Sequence, residues 1–415
     1  MSKRRLPVRP DCEFLRREAK ELLSDYRREK PAAVEDFGAY HPTGVTPREA
    51  KLSDAQLALA LSYRFANWAR LQLAAELCRA MYSGDAESAS NLCSQYRFLL
   101  DEPARGSDTG ASWGTPYSYA RFLGRQNVVD ALLSLDAGVI EQAKEVTRSQ
   151  LADWFVRKDG TIEPGAVMNP CETLNADGLE FLLSMGAELA DADGDSLGPV
   201  AVILQTYTRF PEGKHRCLEI CESNGIAIPD TPLMAFHFGR IEWLQRHFER
   251  DPSLLSRTFS HEEIYPRELG CSDRSSGLGL HGTPLHGTTL LHLAIDFDEF
   301  EIARWLVEKG ANVNGKAEID KDGFGGHTPL FGTVVSQPAH NGRQADGEMT
   351  QWLLQQGAQP NERASLRKGI RFHGDKQVYE YHNVTPLEWG RQFHSRALVN
   401  EAAMRVIRSF CDGDV

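Results

Sequence analysis

The sequence has no run of about 18 apolar residues, the length a membrane-spanning helix needs. It also has no apolar stretch after its basic start, Met1-Ser2-Lys3-Arg4-Arg5-Leu6-Pro7, so that start does not read as an export signal. A soluble, cytoplasmic chain is expected. Cysteine is sparse: eight in 415 residues, scattered at 12, 78, 93, 171, 217, 221, 271 and 411. Most fall inside helical apolar patterns, which fits reduced, buried thiols and not a disulfide framework. Cys217 and Cys221 are four residues apart, a spacing open to metal or redox use, but core packing accounts for it. Positive charge is short as well. The net charge is −12, which excludes general binding to nucleic acid or to an anionic membrane, since both need a cationic surface. Residues 1–30 are the exception, with ten Lys or Arg against six acids, a local +4, so the remaining chain carries −16.

What the chain has is a recurring helical pattern. The clearest unit runs from Gly287-Thr288-Thr289-Leu290-Leu291-His292-Leu293-Ala294 to Lys309-Gly310-Ala311-Asn312. Thr289 suits an N-cap whose hydroxyl serves the third helical residue, His292, with Leu290 at the first helical position. Leu291, Ala294 and Ile295, then Ile302, Ala303, Leu306 and Val307, follow the i, i+3, i+4 spacing of two short amphipathic helices broken between Asp296 and Glu299. Gly310 ends the second helix. Thr115-Pro116, Thr231-Pro232, Thr328-Pro329 and Thr385-Pro386 are further helix starts of the same kind, and weaker units end at Asp136-Ala137, Gly186-Ala187 and Gly225-Ile226.

The unit at 289 resembles an ankyrin repeat, with the 21 positions from Thr289 to Gly310 that the family shows. The segment before the repeats resembles the leader of a group of bacterial ankyrin proteins, on the strength of Arg9-Pro10 before a first helix, an Asp54-Ala55-Gln56 helix and Phe65-Ala66-Asn67-Trp68 opening a third. The resemblance implies an all-α ankyrin-repeat solenoid of helix-turn-helix units with an N-terminal helical cap and long finger loops. On this reading residues 1–82 are a leader that caps the stack, 83–256 hold degenerate repeats, and 257–415 hold repeats with extended fingers. Such a stack is expected to be an elongated monomer.

The motifs for chemistry fail on context. Residues 277–282 match G-x-G-x-x-G, but no strand precedes them and the next helix starts only at Thr289. Gly194-Asp195-Ser196-Leu197-Gly198 matches G-x-S-x-G without a strand before it, and a turn leading into the Pro199 helix explains it. Asp191, Asp193 and Asp195 imitate a calcium loop, yet Ser196 and Val202 stand where Gly and Glu are required. His281, His286 and His292 with Cys271 could approach zinc, but the repeat uses His292 structurally. His327, just before a helix cap, reads as a solvated surface histidine, with a ligand-contacting role as the other reading. His382, Glu388, Trp389 and His394 form a last cluster around the final repeat.

The loops are where binding is expected. Those around 257–287, 315–327 and 359–384 exceed ordinary connections, and the last alternates like a small β-hairpin through Arg367-Lys368-Gly369-Ile370 and Tyr379-Glu380-Tyr381. They carry aromatic and Arg residues typical of binding hot spots: Tyr265, Arg267, Phe324, His327, Arg367, Arg371, Phe372, Tyr379 and Tyr381. The resemblance implies a non-catalytic scaffold that holds a partner protein or peptide on its concave face and these fingers, with no cofactor and no metal. The alternative is a small-ligand or catalytic protein whose fingers close over a pocket joining His281, His327, Arg367 and His382.

Overall fold

The computed structural model describes residues 4, 6–105, 114–272, 282–344, 346–369 and 377–413. The chain divides into two compact units, Met1–Ala152 and Asp153–Val415.

In unit 1 the helices are α1 (Cys12–Arg27), α2 (Pro31–Tyr40), α3 (Leu52–Ser62), α4 (Trp68–Ser83), α5 (Ala86–Gln95), α6 (Pro116–Phe122), α7 (Gln126–Leu135) and α8 (Val139–Phe155), the last running just past the boundary. The Asp11 carboxylate caps α1 by accepting the Glu13 N–H, and Leu15, Ala19, Leu22, Leu23 and Tyr26 make its buried face. The helix α2 fills the Pro- and Gly-containing stretch between the first helix and the Asp54-Ala55-Gln56 helix, which the sequence reads as a connector over Pro31 to Pro47. Pro31 takes the first helical turn, where its missing N–H costs nothing, and Ala33 and Phe37 are buried, with Phe37 stacked on Tyr26 at 3.7 Å. α1 packs on α2 and α3, and α3 on α4. From there the chain turns into stacked pairs: α4 lies on α6, and α5 lies on α7. Arg105 donates to the Leu6 carbonyl and the Leu6 N–H donates to the Arg105 carbonyl, which fixes the first residues to this unit.

Unit 2 continues with α9 (Met168–Thr173) and α10 (Ala176–Ser184), α11 (Gly198–Gln205) and α12 (Pro211–Ser223), and α13 (Pro232–His237) and α14 (Ile241–Arg250). After a short helix α15 (His261–Ile264) come α16 (Leu290–Asp296) and α17 (Phe300–Glu308), then α18 (Pro329–Val334), a four-residue α19 (Gln337–His340), α20 (Glu348–Gln355), α21 (Pro386–Gln392) and α22 (Glu401–Asp412). Inner helices stack on inner helices, α9 on α11 and α16 on α18 on α21, while α10 lies on α12 and α20 on α22. Each repeat therefore buries its faces against its neighbours.

Two of the four Thr-Pro starts cap their helices through the Thr side chain, whereas the Thr115 and Thr328 hydroxyls make no cap bond. Thr231 and Thr385 each accept the N–H three residues on, and the Glu388 carboxylate returns to the Thr385 N–H. Two antiparallel ladders complete unit 2: β1 (Thr258–Phe259) with β2 (Thr288–Thr289), and β3 (Ala364–Lys368) with β4 (Tyr379–Val384), the expected hairpin.

Candidate functional site

The regular repeat sets the platform. His292 Nδ1 lies 2.9 Å from the Thr289 hydroxyl and 3.3 Å from its backbone nitrogen, which donates to it. The other ring nitrogen, Nε2, then carries the proton and donates to the His327 carbonyl at 3.1 Å, joining this repeat to the next. Burial, followed by the neighbouring His327, holds the His292 imidazole down at about 3, so it stays neutral.

The three fingers are joined by backbone hydrogen bonds into one layer. The Gly287 N–H donates to the Phe259 carbonyl, the Glu318 N–H to Gly287, the Gly326 N–H to Ala317, and the Gly325 N–H to Ser365 at 2.7 Å. Gly325 is required at this crossing. Its φ is +124°, and a Cβ there would lie 1.9 Å from the Glu318 carbonyl oxygen. Asp320 shapes the tip of the second finger by accepting the N–H groups of Asp322 and Phe324, both at 2.9 Å.

Between the fingers lies a cavity of about 460 Å³. The first finger gives it Ser260, His261, Glu262, Pro284 and His286; the second gives Glu318 to Asp320, Phe324, Gly325 and His327; β3 gives Leu366 and Arg367. Its walls are mainly apolar. At its edge Ile319 is 66% exposed, an unusual position for a large aliphatic side chain. Glu318 accepts the Thr258 hydroxyl and has no ion pair among the described residues.

The residues singled out from the sequence divide by environment. Phe324, His327 and Arg367 meet at the cavity. Arg367 is committed to the protein itself, donating to Asp320 at 2.6 Å and Asp322 at 3.1 Å and lying over the Phe324 ring. His327 is not solvated, contrary to the expectation for a residue before a cap. It is 2% exposed, because its Nε2 reaches across to the Pro284 carbonyl at 3.0 Å and pulls the ring beneath the first finger. Burial pushes its imidazole down to about 4, and the Lys368 charge adds to this against the Pro284 bond. Tyr265 is buried beside His261 and His237, and Tyr381 is buried against Trp389 with its hydroxyl 2.7 Å from His394 Nδ1. Tyr379 stacks on His394 at 3.9 Å, and Arg267 is exposed and paired with Glu262. His382 packs on Phe324 but does not line the cavity. Arg371, Phe372 and His281 lie outside the described residues.

A buried charged cluster in unit 2 was not anticipated. Arg209 pairs with Asp296 at 2.7 Å and Lys214 with Glu299 at 2.7 Å, all four buried. Burial alone would raise the Glu299 carboxyl, but Lys214 and His215 override it and hold it at about 2. The one signal in the sequence is an acid ending an otherwise apolar inner helix, Leu290-Leu291-His292-Leu293-Ala294-Ile295-Asp296. Cys171, Cys217 and Cys221 are buried thiols, and no group of side chains among the described residues has the arrangement of a metal site. No helix among the described residues is long and apolar enough to cross a membrane.

The ankyrin-repeat family model matches residues 286–318, the segment from the first finger through α16 and α17 into the second finger. Residues 286–318 are an ankyrin repeat. No curated protein sequence matches the chain. Among solved structures it is similar to the ankyrin repeat domain of Bcl-3, a member of the IkappaB protein family, at 15% identity over 80% of this chain and 97% of that one, with a TM-score of 0.22. It is likewise similar to the human ASB11 ankyrin repeat domain, at 15% identity over 80% of this chain and 96% of that one, with a TM-score of 0.20. The match at 286–318 is local. It coincides with the His292 geometry described above.

Proposed function

We propose that this chain is a non-catalytic binding module that holds a partner protein through the inner-helix face of unit 2 and its three fingers, with the finger cavity taking a basic, partly aliphatic segment of the partner. The observation that carries this is the pairing of Ile319, exposed at the rim, with Glu318, a carboxylate with no ion pair among the described residues. An apolar wall beside such an acid suits a Lys or Arg side chain, whose methylene stem packs while its charged end meets the carboxylate. The fingers suit recognition because a repeat scaffold positions them and backbone bonds tie them together. Tyr379 is proposed as a further partner contact, and so, from the sequence, are Arg371 and Phe372.

Selection of random peptides on the immobilised full chain tests this reading. It predicts a consensus with Lys or Arg beside an aliphatic residue, and at least a tenfold loss of affinity in both Ile319→Asp and Glu318→Gln. Both side chains are at the cavity edge, so the melting curve should stay nearly unchanged. An acidic consensus, or undiminished binding by Ile319→Asp, would overturn it.

A further inference from the structure

The cavity does not use the most unusual side chain of the fingers. Lys368 closes β3 on its inward face, in line with Ala364 and Leu366, and is 1% exposed. Its ammonium has no hydrogen bond or ion pair with any described residue. Buried polar groups are nearly always partnered, and a buried charge without a counter-charge is among the least favourable arrangements in a protein.

The surroundings make the imbalance specific. Lys368 feels the charges of Asp296 and Arg209, and His327 in the cavity wall feels the charge of Lys368. Asp296, the carboxylate that Lys368 feels, is not free for it, and neither is the other buried carboxylate of the cluster. Asp296 is taken by Arg209, which also donates to the Asp296 and Thr206 carbonyls, and Glu299 is taken by Lys214 and His215. Among the described residues the cluster thus holds three buried cations, Arg209, Lys214 and Lys368, against two buried carboxylates. Burial pushes the Lys368 amine down to about 7, the behaviour of an amine that lacks an anion and would gain one.

We propose that Lys368 anchors an anion-binding site in unit 2, in which the carboxylate or phosphate group of a small ligand supplies the counter-charge that no described residue gives it. Leu366 and Arg367, immediately before it, line the finger cavity, so the site lies next to that cavity. It does not depend on the peptide reading, which rests on Ile319 and Glu318.

The test is the melting temperature of the full chain titrated with sodium phosphate and, separately, with sodium acetate, each against sodium chloride at equal ionic strength. At ten times Kd one oxyanion should raise it by about 2–4 °C beyond chloride. The arm that responds tells phosphate from carboxylate. The rise should vanish in Lys368→Met, a near-isosteric apolar replacement, and persist in Lys321→Met, an exposed lysine of the second finger. Equal melting in both oxyanions and chloride, or an undiminished rise in Lys368→Met, overturns the site. Should that variant not fold, [15N]lysine-labelled native protein gives the same decision. The Lys368 Nζ resonance must move as the stabilising anion is added, and a stationary resonance under a rising melting point refutes the proposal.

Discussion

The two units bury different things. Among the described residues, unit 1 buries only one Lys, Arg, His, Asp or Glu, which is Arg105, whereas unit 2 buries Arg209, Lys214, His237, His292, Asp296, Glu299, His327 and Lys368. Unit 1 is held by apolar faces such as Leu15, Ala19 and Leu59 and by ion pairs that keep some contact with water, such as Arg4 with Glu18 and Asp36. Unit 2 accepts desolvated charges, which add little net stability and are retained where they fix a geometry or meet a ligand. The fingers stand over that unit. The contrast supports the proposal that recognition belongs to Asp153–Val415.

The largest effect expected from this contrast is the loss of a buried counter-charge. Asp296→Ala leaves the Arg209 guanidinium buried without a carboxylate and should cost about 3–5 kcal/mol. Arg148→Ala in unit 1 removes one side of an exposed pair with Glu141 and should cost at most about 1 kcal/mol. Urea unfolding of the two variants measures both, and similar midpoints would end the distinction between the units.

Acid should separate the units next. His237 and His292 are held at about 3 and His327 at about 4, each chiefly by burial, below the ordinary value of 6.5. Unfolding lets each of them take up a proton below pH 6.5. Their contribution is therefore complete above pH 6.5 and is lost as pH falls through 6.5 towards 4. Between pH 7 and 5 each should remove about 1–2 kcal/mol from unit 2. Unit 1 has a single histidine, His41, half-buried as a residue although its side chain is 6% exposed, and it lies 3.6 Å from the Asp54 carboxylate. Hydrogen exchange, corrected for its intrinsic pH dependence, should show protection falling around Leu291 and Leu330 and holding around Leu59. A parallel fall in both units would show that the histidines do not set the difference.

The repeats were legible because they are local. Thr before Pro fixes a helix start, and Gly310 at φ +99° fixes a stop, so the unit at 289 could be placed from a short stretch of sequence. The hairpin was legible from alternation. The helix α2 was not, because Pro31 and Gly38 read as breakers although Pro is tolerated in a first turn and Gly38 has open space around it. The helix α4, expected from the sequence as part of a leader, stacks on α6 as the inner helices of unit 2 stack on each other, a relation set by distant residues. The site was legible only in outline. Length and aromatic content marked the fingers, but the burial of His327, Tyr265 and Tyr381 depends on Pro284, His237 and Trp389, which no local pattern connects to them. The ion pair of Arg209 with Asp296 spans 87 positions and leaves no periodic trace.

The smallest effect sharpens the comparison within unit 2, between its body and its fingers. Arg367 is partly exposed, and its pairs with Asp320 and Asp322 face water, so their worth in stability is at most about 1 kcal/mol. Yet they are among the contacts that tie the third finger to the second, together with the Gly325 N–H to the Ser365 carbonyl. Arg367→Met keeps a stem to cover Phe324 and removes both pairs. The melting temperature should then fall by no more than about 2–4 °C, while amide exchange at Gly325 quickens several-fold and exchange in α16 and α18 stays as it was. Peptide affinity should fall with the loosened cavity, in proportion to the fraction of chains with the fingers apart. If exchange at Gly325 does not change, the backbone bonds alone hold the fingers, and Arg367 is then free to be a contact for the partner.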